Sequence, residues 1–243
     1  LNDENFLNSL RTLNCSIFVL AAYGRILPLS VLNIPAQGVV NVHPSLLPLY
    51  RGPAPIIAAL RNGDAETGIS IMLLDQGMDT GPLLSQMHVP INPDDTTKTL
   101  GDRLSVLGAE LLTKTLAQYN AGNIQAVPQP QTKESPTRFI HKTDGHADWR
   151  RPAVELERDT RAFSPWPALW TLWEGQPLKI IRAHVAPPLA GDPGQVINVN
   201  GILHIVTGNG TLVLVNVQPA GGRAMSAQDF LRGHPSFDSA RLS

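Results

Sequence analysis

At 243 residues, 42% hydrophobic and 16% charged, the chain has a globular composition and enough length for one large or two ordinary domains. A net charge of −1 excludes a global field that would steer it to nucleic acid or membrane, and no apolar run reaches the ~18 residues that span a bilayer. The single Cys15 excludes an internal disulfide and fits a reducing compartment; the seven histidines lack paired ligand spacing, so no metal is expected.

In chain order, Asp3 to Leu13 carries apolar residues at 6, 7, 10 and 13 with acids in its first turn, the pattern of a helix. It leads into Ile17 to Ala22, an apolar run of the kind buried in a parallel sheet. Tyr23 to Pro28 turns the chain, a short helix follows to Leu32, and Gly38-Val39-Val40 starts a strand that Pro44 and Pro48 must end. This spacing predicts a βαβ unit. Residues two apart on a strand share a face, so Asn41 and His43 present an amide and an imidazole side by side where strand meets loop.

Ile56 to Arg61 reads as a short helix closed by Asn62-Gly63, and Gly68 to Leu74 as the next strand. Asp75 to Pro82 is rich in turn formers, with Leu83 to Val89 returning antiparallel. The acids Asp75 and Asp79 either cap that turn or take part in chemistry. From Thr96 to Gly122 a leucine stripe at three-to-four spacing predicts a long helix whose apolar face is core packing. Periodicity then ends, and Val127 to Asp148, with Pro128, Pro130 and Pro136, reads as a surface linker. Residues 1–148 hold 10 Lys and Arg against 13 Asp and Glu, whereas 149–243 hold 9 against 7, so the second half is mildly basic. It shows a helix over Val154 to Ala162, then five short strands: Leu169 to Trp173, Leu178 to Val185, Gln195 to Val199, Ile202 to Val206 and Leu212 to Val217. Tight turns between them suggest a small, partly open barrel, followed by a helix capped by Ser226. Trp166, Trp170 and Trp173, set among prolines, read as packing.

If the carboxyl ends of three neighbouring strands offer Asn41, His43 and Asp79, the set suits acyl transfer between amines. An amide donates to a carbonyl oxygen, an imidazole relays a proton, and a carboxylate orients the imidazole. Ser45 lacks the glycine elbow of a hydrolase and Cys15 precedes a strand, so direct transfer is expected over a covalent intermediate.

The run Asn41-x-His43-Pro44-Ser45-Leu46-Leu47-Pro48-x-Tyr50-Arg51-Gly52, with Asp79 in Asp75-Gln76-Gly77-Met78-Asp79-Thr80-Gly81, resembles the formyltransferases that use 10-formyltetrahydrofolate. Arg161 to Pro167, Gly175 to Lys179 and Gln218 to Phe230 are similar to the branch acting on methionyl initiator tRNA, and argue against relatives that formylate a nucleotide, a nucleotide sugar or water. The resemblance implies an α/β fold: a Rossmann-like formyltransferase domain, N-terminally truncated, over 1–126, a linker over 127–148, and an OB-like β-barrel that binds tRNA over 149–243. It implies a catalytic trio of Asn41, His43 and Asp79. It places the folate on Tyr23, Gly24, Arg25, Ile26 and Leu27, on Ser45, Leu46, Leu47 and Pro48, and on Leu74, Asp75, Gln76 and Gly77, with Arg51 at the tRNA acceptor end. Family members carry a further strand and helix upstream of the position of Leu1. No metal is implied, and a monomer is expected, in the cytoplasm or in an organelle if a targeting segment lies upstream. A non-catalytic tRNA-binding remnant is the alternative from a different class.

Overall fold

The computed structural model describes residues 1–130 and 135–243, which form two compact units. The chain passes from the first to the second at Phe139–Ile140, while Leu60–Gly63 and Asp94–Lys98 belong with the second.

The first unit opens with α1 (Glu4–Thr12), capped by the Asp3 carboxylate, which accepts from the Phe6 N–H at 2.9 Å. Then follow β1 (Phe18–Ala21), the one-turn α2 (Leu29–Leu32), β2 (Val39–His43), α3 (Pro55–Asn62), β3 (Glu66–Leu73), β4 (Leu83–Pro90) and α4 (Thr97–Asn120). The strands form one sheet in the order β1-β2-β3-β4. β1 and β2 are parallel, joined through α2 as the βαβ spacing predicts, and the other two pairings are antiparallel. β1 lies at the sheet edge with alternating half-buried and exposed residues, Val19 being 43% exposed, so the expectation of a strand buried on both faces does not hold. That character belongs to β3, where Thr67 through Met72 are all buried. Leu7, Leu27, Val31, Leu32 and Val39 make a core cluster that fixes the loop after β1 against the start of β2.

The second unit holds α5 (Ala153–Ala162), β5 (Leu169–Trp173), β6 (Gln176–Ala186), β7 (Val196–Val199), β8 (Ile202–Val206), β9 (Thr211–Pro219), β10 (Met225–Ser226) and α6 (Ala227–Gly233). Its antiparallel sheet runs β5-β6-β9-β8-β7, with β10 beside β9. The last residues link the two outer strands: Val196 N–H donates to the Ala240 carbonyl at 2.8 Å, and Leu172 and Ser243 exchange main-chain hydrogen bonds at 2.8 and 3.2 Å. Edge groups that would otherwise face solvent are thus paired by the tail, the partial closure that the short strands suggest. Trp173 meets Phe230 and Phe237 edge-on, both centroids at 5.4 Å, as packing requires. Trp166 departs from the packing expectation: it sits between two prolines with 56% of its surface exposed.

A buried carboxylate organises α5. Asp159, 1% exposed, accepts from Arg61 Nε at 2.7 Å and from Arg151 Nη1 at 2.6 Å, and the Arg61 guanidinium lies 4.9 Å from the Phe163 ring centroid. Both arginines are about a third exposed, so water partly hydrates them if the carboxylate is lost. Asp159→Ala should therefore cost about 3 kcal/mol, the low end for breaking a buried pair. All four tryptophans, Trp149, Trp166, Trp170 and Trp173, lie in the second unit, so urea denaturation followed by their fluorescence reads this loss directly. A change below about 1 kcal/mol, the scale of an exposed pair, would contradict the buried-pair account.

Candidate functional site

β2 ends at His43 because Pro44 lacks the N–H that a further ladder bond needs. The imidazole is 4% exposed, and its Nε2 lies 3.0 Å from the Tyr50 carbonyl oxygen. A carbonyl only accepts, so Nε2 carries the hydrogen in the neutral ring and Nδ1 is left with its lone pair. Nδ1 faces Asp79 Oδ2 at 3.6 Å, and the same oxygen accepts from the Gly52 N–H at 2.8 Å. Burial pushes the His43 pKa below its ordinary value, while the Asp79 carboxylate and the Tyr50 carbonyl act in the opposite direction.

Asn41 stands two residues before His43, and its side-chain amide has no hydrogen-bond partner among the described residues. Both line a cavity of about 600 Å³ whose lining residues all belong to the first unit. That volume lies within the range of small-molecule sites. Asp79, Tyr23, Gly24, Arg25, Ile26, Leu27, Leu74, Asp75 and Gly77 line it as well. Gln76 does not, and neither do Ser45, Leu46, Leu47, Pro48 and Arg51.

The excluded loop has other work. The Ser45 hydroxyl donates to the Leu49 carbonyl at 2.7 Å, the Ser70 hydroxyl donates to the Ser45 carbonyl at 2.7 Å, and Leu47 N–H donates to Ser70 Oγ at 3.0 Å. Gln86 Nε2 donates to the Leu47 carbonyl and to Ser70 Oγ. Ser45 and Leu47 are buried, so the stretch from Ser45 to Pro48 is a brace that returns Tyr50 to His43, while Pro44 and Gly52 at the two ends of the loop line the cavity. Arg51 likewise faces Gln129, whose side-chain oxygen accepts from its Nε at 3.0 Å and its Nη2 at 2.6 Å.

Asp79 reaches His43 by another route than a strand end. β3 is antiparallel to β2, with Val40 opposite Leu73, so its carboxyl end lies at the start of β2 and the loop 74–82 brings Asp79 back. Thus two carboxyl ends, not three, point at the site. Within that loop the two acids separate. Asp75 Oδ1 accepts from Gly77 N–H and the Thr80 hydroxyl and caps the turn, while Asp79, at φ 54°, faces His43. The loop base is tight: a Cβ on Gly81 would sit 1.9 Å from the Leu73 carbonyl oxygen.

Sequence reasoning missed two contributors. Gly101, Leu104, Ser105, Ala109 and Leu112 of α4 line the cavity, so part of the leucine stripe is cavity wall in addition to core. Small residues at 101, 105 and 109, four apart, are the signal that could have shown it. The supposed surface linker also docks on the site loop. Tyr50 N–H donates to Ser135 Oγ at 3.0 Å, Thr137 N–H donates to the Arg51 carbonyl at 2.7 Å, and a Cβ on Gly52 would meet the Thr137 carbonyl oxygen at 2.8 Å. Among the described residues no group of three or more His, Cys, Asp and Glu side chains is placed to hold a metal, and no helix is long and apolar enough to cross a membrane.

The formyl transferase family matches residues 1–116, and the formyl transferase C-terminal domain matches residues 139–235. The methionyl-tRNA formyltransferase of Roseiflexus sp. is 47% identical over 235 residues, 96% of this chain and 72% of the relative. That of Myxococcus xanthus is 46% identical over 231 residues, 94% of this chain and 73% of its own length. Among solved structures, HypX from Aquifex aeolicus in complex with tetrahydrofolic acid superposes with a TM-score of 0.67 at 16% identity, over 93% of this chain and 40% of that one. The sugar 3N-formyl transferase WlaRD, solved in the presence of dTDP and 5-N-formyl-THF, gives 0.65 at 20% identity, over 82% and 71%. At these identities both structures share the fold.

His43 carries a pH dependence whose sign is fixed. Its folded pKa lies below the ordinary 6.5, so below about that pH the unfolded chain binds more protons than the folded one. The neutral ring's contribution is complete above that value and is lost as pH falls through the folded pKa. Comparing melting curves of the chain and of His43→Gln, the chain should lose stability relative to the variant from about pH 6.5 downward. A difference that stays flat from about pH 7.5 to 5 would contradict the buried neutral imidazole.

Proposed function

Because the chain belongs to the formyl transferase family, in the branch of the methionyl-tRNA formyltransferases, we infer that it transfers a formyl group from N10 of 10-formyltetrahydrofolate to the α-amine of methionyl initiator tRNA for translation initiation. Folate is the formyl donor, and the tRNA is the partner to which the mildly basic second half contributes sequence-blind phosphate contacts. In this reading residues 1–126 are the catalytic part and 149–243 the tRNA-binding part, while the intervening stretch 127–148, expected as a linker, supports the site as far as Phe139.

The observation that carries the reading is the free Asn41 amide beside a histidine with one committed nitrogen, in one cavity. As the amine adds to the formyl carbon, negative charge gathers on the formyl oxygen. Asn41 donates to that oxygen, and the free Nδ1 lone pair of His43 takes the proton that the adding amine loses, so that the ring becomes a donor on the same face. The Asp79 carboxylate favours the proton on Nδ1. Together the two side chains pass the proton lost by the amine towards N10 as its bond to the formyl carbon breaks, so no covalent enzyme intermediate is needed. Main-chain groups of Tyr23 to Leu27, with Leu74, Asp75 and Gly77, hold the pterin, whose edge of donors and acceptors they can pair. Ser45 to Pro48 and Arg51 serve the loop geometry instead.

Formyl transfer to methionyl initiator tRNA by the 243-residue chain, run beside Asn41→Ala and His43→Ala, tests this. Each variant should lose on the order of a hundredfold or more in kcat, the typical cost of removing one oxyanion donor. Unchanged rates in both, or no transfer by the folded chain even when an upstream strand and helix are restored, would overturn it.

A further inference from the structure

Gln129 lies in the stretch that lost its periodicity, outside the cavity lining, yet its side chain is fully engaged. Its oxygen accepts from Arg51 Nε and Nη2, and its Nε2 donates to the main-chain carbonyls of Asp79 and Gly81, both at 2.8 Å. A guanidinium only donates and a carbonyl only accepts, so the amide can adopt one orientation alone, and all four of its hydrogen-bonding positions are used. The two carbonyls flank Thr80, so the amide grips the turn from behind. Asp79 stands in the left-handed region at φ 54°, a conformation that lasts where the surroundings over-determine it. Glutamate would place negative charge on two carbonyls, and an apolar chain would leave them unpaired.

We propose that Gln129 is a positioning residue for formyl transfer, holding the Asp79 turn so that the carboxylate stays on Gly52 N–H and faces His43 Nδ1. The proposal rests on the reading of Asp79 as His43's partner in the reaction. Gln129 touches neither His43 nor the cavity; it acts through the turn.

The test uses the full chain with Gln129→Met, Gln129→Glu and the reference Asp79→Asn, measuring kcat, KM for 10-formyltetrahydrofolate and for methionyl-tRNA, and the His43 titration by NMR. Both Gln129 variants should lose about tenfold or more in kcat while each KM stays within about twofold, because a misplaced group costs rate before binding. Asp79 is the charged group facing His43, and its carboxylate raises the ring's proton affinity. Gln129→Met should therefore lower the His43 pKa in the same direction as Asp79→Asn, a shift that a merely structural role would not produce. An inactive Asp79→Asn beside a Gln129→Met with unchanged kcat and unchanged His43 titration would overturn the positioning role. A fully active Asp79→Asn would overturn the reading beneath it.

Discussion

The first unit turns on one hydrogen bond, from the His43 Nε2–H to the Tyr50 main-chain carbonyl. A buried imidazole with one nitrogen committed to a fixed acceptor has a single useful nitrogen left, and its direction is set by the backbone. To place that carbonyl, the chain must fold back between His43 and Gly52. It does so with Tyr50 at φ 57° and Gly52 at φ 102°, and with the Tyr50 hydroxyl bonded to Asp64. Ser45, Leu47, Ser70 and Gln86 close the inside of the loop with one connected set of hydrogen bonds. The long motif around His43 is thus mostly a device for aiming one ring, which is why so many of its residues are buried away from the cavity.

Asp79 completes the geometry from outside the strand order. Its carboxylate bonds Gly52 N–H, so the loop that supports His43 also anchors the turn that carries its partner. The turn is fixed from behind by Gln129 and at its base by the close approach of Gly81 to Leu73. Burial and the Asp79 charge pull the His43 proton affinity in opposite directions, so a small movement of Asp79 changes how readily Nδ1 holds a proton. Asn41, projecting from the same strand, needs none of this support: the pleat of β2 alone brings it beside His43.

Much of this was legible in the sequence where local physics decides it. The period of two put Asn41 and His43 together, prolines ended the strand, and the five strands of the second half emerged from their apolar runs and turns. The resemblance carried by the motif added the trio and the folate. What was not legible depends on long-range pairing. Nothing in Gly68 to Leu74 says that it runs antiparallel to β2, so the route of Asp79 was hidden. Gln129, Ser135 and Thr137 lie in a segment without periodicity, and their partners are some 80 residues away in the chain, apart from the Asp79 turn, which lies about 50 away. The pairing of the tail with β5 and β7, and the exposure of Trp166, are tertiary outcomes of the same kind.

The central claim is the hydrogen assignment of one ring. Long-range proton–nitrogen correlation on the chain carrying ¹⁵N-labelled histidine, at a pH above the His43 titration, reads it directly. The account predicts the neutral ring protonated at Nε2, with an unprotonated Nδ1 facing Asp79. A neutral ring protonated at Nδ1 would mean that Tyr50 does not anchor it, and the geometry assigned to the site would be wrong.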